Sequence, residues 1–85
     1  MHVMAISTVT DSDKFWGSLK KAYGLLPEGA RWVLAVASTD GTRAVNVVVH
    51  GSLDDVRDYF EDHTGGFATT ECFEADATNS VGLPG

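Results

Sequence analysis

The stretch RWVLAVASTDGTRAVNVVVH, residues 31–50, decides the fold. Two apolar runs flank Asp40-Gly41, a dipeptide suited to the positive φ angles of a tight hairpin turn. The spacing predicts two antiparallel strands with Asp40 and Gly41 as the turn residues. Thr39 then faces Thr42, and the pairs run back in step: Val36 with Val45, Leu34 with Val47, Trp32 with Val49. Side chains alternate across a strand, so these six residues share one bulky, wholly apolar side. The other side carries Val33 with Val48, Ala35 with Asn46 and Ala37 with Ala44, and Arg31 and His50 lie at its end. The bulky side is expected under helices and the small side is expected to be open.

Working outward, HVMAISTV (2–9) is rich in β-branched and apolar residues and fits a strand. Thr10 and Asp13 have capping-box spacing, in its Asp variant, so a helix is expected to start there. Phe15, Leu19, Ala22 and Leu26 recur at helical spacing, with Trp16 and Tyr23 on an adjoining stripe, until Gly24 weakens the helix and Pro27 ends it. Ser52 and Asp55 repeat the cap before a second helix. There Leu53, Val56 and Phe60 form the apolar stripe, and Asp54, Asp55, Asp58, Glu61 and Asp62 form a solvated face. Gly65 and Gly66 are expected to stop that helix in the left-handed conformation. FATTECFEA (67–75) reads as a last strand. The order β-α-β-β-α-β predicts an α+β, ferredoxin-like sandwich: a four-stranded antiparallel sheet with two helices on one face. Residues 1–76 make the domain and 77–85 a C-terminal tail.

Eighty-five residues give room for one small core. A net charge of -6, with only six scattered basic residues, argues against nucleic acid as a partner, because phosphate binding draws on Lys and Arg. No apolar run approaches the roughly 20 residues that span a bilayer, so no membrane partner is expected. The start lacks the features of a signal peptide, and a lone Cys72 suits a reducing compartment; a cytoplasmic bacterial protein is expected.

Both helices are used on one side of the sheet, so the small apolar side needs another cover. A second copy packed face to face, as a homodimer, supplies it. In its βαββαβ order, its length and its two-sided sheet, over residues 2–75, the chain resembles the dimeric α+β barrel superfamily of small ferredoxin-like bacterial proteins. That resemblance implies a small-molecule ligand held between sheet and helices or between sheets. The superfamily includes cofactor-independent oxygenases, cyclases, haem-degrading enzymes, stress-responsive proteins and metal-responsive binders, so it leaves the reaction and any cofactor open.

Ferredoxin-like topology brings the starts of the first and second strands and the ends of the third and fourth to one edge. His2, Arg31, His50 and Glu74 converge there, with Asp76 adjacent. Arg31 and His50 can hold a carboxylate or enolate, with His50 as catalytic acid or base near neutral pH and Asn46 as a hydrogen-bonding partner on the same face. Alternatively, His2, His50 and Glu74 can ligate a divalent metal. Plainer readings stand beside these: His50 as a strand-end residue satisfied locally, and Asn46 as a polar group at a dimer interface. In a third reading the chain is an interaction module that uses its acidic helix and tail. Cys72 and the aromatic set Trp16, Tyr23 and Trp32 read as packing residues, and His63 as a structural group that complements the dipole at the end of the second helix. No phosphate-cradling loop, nucleophile elbow or paired-cysteine zinc motif is present.

Overall fold

The chain forms β1 (His2–Val9), α1 (Ser12–Ala22), β2 (Arg31–Ala37), β3 (Arg43–Val49), α2 (Leu53–Thr64) and β4 (Ala68–Glu74). Single 3-10 turns follow α1 at Tyr23–Leu25 and β4 at Ala77–Asn79. The structure is a computed structural model and describes residues 1–83; positions 84 and 85 of the expected tail lie outside the described residues. The sheet order is β2-β3-β1-β4 and every pairing is antiparallel. This is the ferredoxin-like α+β arrangement that the hairpin and the flanking helices predicted.

The caps show how local chemistry sets the elements. Ser52 caps α2 as expected, its hydroxyl accepting from the Asp55 N–H at 3.2 Å. The cap of α1 is Asp11, one residue later than expected, and its carboxylate accepts from the Lys14 N–H at 3.1 Å. The Thr10 hydroxyl donates instead to the Phe67 carbonyl at 3.0 Å, which ties the exit of β1 to the approach of β4. Gly65 ends α2 with an ordinary right-handed φ of -61°, not the expected left-handed one. Glycine suits that position for another reason: a Cβ there would collide with the Glu61 carbonyl.

The hairpin keeps its expected register but reaches it by another turn. Ser38 N–H bonds to the Arg43 carbonyl at 2.9 Å, and Gly41 N–H bonds back to the Ser38 carbonyl at 3.0 Å. Only Gly41 takes a positive φ, 76°, so the loop is four residues long and not a two-residue type I′ turn. Asp40 holds it together by accepting from the Ser38 hydroxyl (2.7 Å), the Thr42 N–H (3.0 Å) and the Thr42 hydroxyl (2.8 Å). These bonds, the Thr42 N–H foremost, hold the Asp40 carboxyl down at about 2. Four pairs match expectation: Leu34 with Val47, Ala35 with Asn46, Val36 with Val45, and Ala37 with Ala44. Beyond them an irregularity at Val33 shifts the register, so that Trp32 faces Val48 and Arg31 faces Val49.

The assignment of the two sides is the reverse of the expected one. In β1 it is Val3, Ala5, Ser7 and Val9 that are buried under the helices. Their partners share that side: Val48, Asn46 and Ala44 on β3, and Cys72 and Ala68 on β4. The small side is therefore the inner one and the bulky side is open. Volume explains the reversal. Phe15 from α1, Tyr59 and Phe60 from α2, and Trp32, turned inward at the bulge, fill the layer between helices and sheet. Side chains this large reach native packing density only against small ones. Tyr59 also donates its hydroxyl to the Ala22 carbonyl at 2.6 Å, which joins α2 to the end of α1, and burial pushes its phenol up to about 12.

Candidate functional site

Each face of the sheet offers its own surface. On the open face Met4, Ile6, Leu34, Val36, Val45, Val47 and Phe73 form one apolar field across all four strands. Val47, at its centre between Met4 and Leu34, is only 7% exposed, whereas Leu34, Val36 and Phe73 are 47%, 48% and 47% exposed. The rim is polar: His2 and Arg31, either side of Val49, close one end, and Thr8, Arg43 and Thr69 the other. The arginines lie on the β2–β3 half, and Glu71 lies on β4.

On the inner face the small residues of β2 are not fully covered. Ala35 and Ala37 point toward the helix side yet remain exposed. A cleft of about 360 Å³ opens there between α1 and β2, lined by Trp16, Leu19, Lys20, Tyr23, Trp32 and Ala35. Its back wall is fixed: Trp32 donates its indole N–H to the Leu34 carbonyl at 3.1 Å and meets Tyr59 and Phe60 edge-on at 6.0 Å. Trp16 is held edge-on by Phe15 at 5.3 Å. Tyr23, on the 3-10 turn, leans over Trp32 at 5.6 Å and is 63% exposed. Sequence reading treated these three aromatics as core packing; their spacing marks a helix face but cannot show that β2 emerges from under it.

Directly opposite Ala35, on the same side of the sheet, lies Asn46. It is fully buried, and neither its amide nitrogen nor its carbonyl oxygen has a hydrogen-bond partner. A buried amide left unpaired costs about 1–3 kcal/mol. The other buried polar residues are satisfied: Ser7 pairs with the Thr70 hydroxyl at 2.7 Å, and Thr64 donates to the Phe60 carbonyl at 2.7 Å.

The edge set is divided between the two sides. His2 and Arg31 flank Val49 on the open face. His50 lies toward the helices, where its Nε2 meets the Asp55 carboxylate at 3.1 Å; its side chain is 12% exposed. Its backbone is paired in both directions with Met1. Arg31 and His50 therefore do not form one clasp, because the bulge at Val33 moves Arg31 to the open side. Glu74 faces Val3 and is exposed, and it lines a shallow polar depression of about 480 Å³ with His2 and Asp76. The His2 Nε2 is buried without a partner. Asp76 is engaged in capping the tail's 3-10 turn, accepting from the Thr78 N–H, the Thr78 hydroxyl and the Asn79 amide, which lowers its carboxyl. Among the described residues no three His, Cys, Asp or Glu side chains are grouped to share a metal ion.

The remaining candidates have structural surroundings. Cys72 is a free, buried thiol that burial pushes up, which makes it a poor nucleophile. His63, in the last turn of α2, packs against Tyr59 with ring centroids 4.7 Å apart and the planes tilted by 55°. The α2 carboxylates are all exposed. Among the described residues no helix is long and apolar enough to cross a membrane. In comparisons with known proteins, no family model, no curated protein and no solved structure matches this chain.

Proposed function

We propose that the protein is a homodimeric small-ligand-binding protein of the dimeric α+β barrel kind, in which the open sheet faces pack together and the ligand sits on the helix side. The observation that carries this reading is the apolar field of the open face. Monomeric proteins rarely expose a contiguous apolar patch of more than a few hundred Å². An apolar centre with a polar, charged rim is the anatomy of a protein interface.

The rim charges also choose the two-fold axis. An axis parallel to the strands stacks β2 of one protomer over β4 of its partner, so the half bearing Arg31 and Arg43 meets the half bearing Glu71. An axis across the strands would set like charge on like. Bulky side chains fill the space between the two sheets, so room for a ligand lies on the inner face, over Ala35. His50 then holds the first turn of α2 to the end of β3 through Asp55. A cytoplasmic setting suits the free Cys72 thiol.

Sedimentation velocity of the wild type beside Leu34→Glu tests the assembly. The wild type sediments as a dimer and the variant as a folded monomer. A wild-type monomer at every concentration sinks the reading.

A further inference from the structure

We propose that the cleft between α1 and β2 binds a flat aromatic anion, with the ring stacked among Trp16, Tyr23 and Trp32 and the anionic group at Lys20. This rests on the reading above only in placing the ligand on the helix side, since the cleft is complete within one protomer.

The walls set the class of ring. Three aromatic side chains line a space of about 360 Å³, near the lower end of the roughly 300–1,000 Å³ typical of ligand pockets and suited to a mono- or bicyclic system. Aromatic faces favour offset or edge-on contacts with another π system. The back wall needs no rearrangement, because Trp32 is anchored by its indole hydrogen bond and by the Tyr59 and Phe60 edges. Tyr23, exposed and on a single 3-10 turn, is the side chain free to open and close.

The charge follows from Lys20. It is the one lining residue charged at neutral pH, in a chain whose net charge is -6, so the cleft mouth carries a cation on an acidic molecule. A carboxylate there gains a partner, whereas a cation would meet repulsion. Asn46, one strand in from the Ala35 floor, is fully buried and does not line the cleft, so it takes no part in the site.

Two probes separate these elements on the full-length, 15N-labelled protein: indole-3-acetate and its neutral analogue indole-3-ethanol. Indole-3-acetate is expected to give saturable shifts at the indole N–H groups of Trp16 and Trp32 and at the amides of Leu19, Lys20 and Tyr23. Indole-3-ethanol binds about fivefold more weakly, and Lys20→Ala abolishes that difference. Tyr23→Ala, at an exposed position that leaves the fold intact, weakens both ligands by about tenfold. Shifts at Leu34, Val36 and Phe73 in place of the cleft, or no saturation into the millimolar range, overturn the site. Equal affinity for the charged and neutral probes overturns the anion assignment. Sedimentation of the same samples reports the dimer separately, so cleft binding by a monomer would retain this site while the dimer reading fails.

Discussion

The two faces of one sheet, built from alternate residues of the same four strands, have opposite characters. The inner face carries Ala5, Ser7, Ala35, Ala37, Ala44 and Asn46, and the outer face Met4, Ile6, Leu34, Val36, Val45, Val47 and Phe73. Ala5, Ser7, Ala44 and Asn46 are covered by the protein's own helices while Ala35 and Ala37 on β2 stay exposed, and the larger residues have no helix over them. In a sheet with one dry and one wet side, the outer face would alternate to polar residues. Here it does not, and the proposed function accounts for that by having both faces make contact: the inner with helical aromatics and a ligand, the outer with a second copy.

The strongest break in that contrast comes from a charge at the centre of the outer face. Leu34→Glu is expected to weaken the dimer by about a hundredfold or more, as loss of an interface hot spot does. Its circular dichroism stays that of the wild type because Leu34 touches no helix. An unaltered dimer would show that the outer face is merely exposed.

The inner face is tested by Asn46→Leu, which replaces an unpaired buried amide with an apolar group of similar shape. Urea unfolding should show stabilisation of about 1–3 kcal/mol. A loss of stability would mean that the amide is already satisfied.

How much of this contrast was legible before the structure depends on which residues are asked. The hairpin register was readable because Asp40-Gly41 marks the turn and the flanking alternation is clean, and four of the expected pairs stand even though the loop is longer. Alternation alone, however, defines two faces without saying which one the helices take. That choice depends on the volumes the helices bring, and Tyr59, which completes the inner aromatic layer, lay outside the expected Leu53, Val56, Phe60 stripe. The alternation of β1 held the missing signal: Val3, Ala5 and Ser7 are small where Met4 and Ile6 are large. The bulge at Val33 was not legible, because it arises from the tertiary demand to bury Trp32. The meeting of His2 with Glu74 at one edge followed from topology, but the division of His50 from Arg31 followed from the bulge.

A finer test of the outer face uses its rim. Glu71→Arg and Arg43→Glu should each weaken the dimer by about 0.5–1 kcal/mol, and the double variant should recover most of the loss. Recovery requires β2 to lie over the partner's β4; additive losses would place the axis across the strands.

The smallest expected effect lies off both faces, in the hairpin turn. Asp40 has its carboxyl lowered from 3.8 to about 2, so the unfolded chain binds the proton more readily than the folded one. Its contribution is fully present above about pH 4 and is lost as pH falls toward 2. Amide shifts of Gly41 and Thr42 followed over that range should titrate with Asp40, and Asp40→Asn should flatten them while the dimer remains.

The claim that the outer face is the assembly surface is tested most directly by an isotope-filtered NOE measurement on a dimer mixed from methyl-labelled and unlabelled chains. Leu34 and Val36 methyls should show intermolecular contacts to the partner's β4, and the Ala35 and Ala37 methyls should show none. Intermolecular contacts confined to the alanine side, or absent altogether, would contradict the assignment of the two faces.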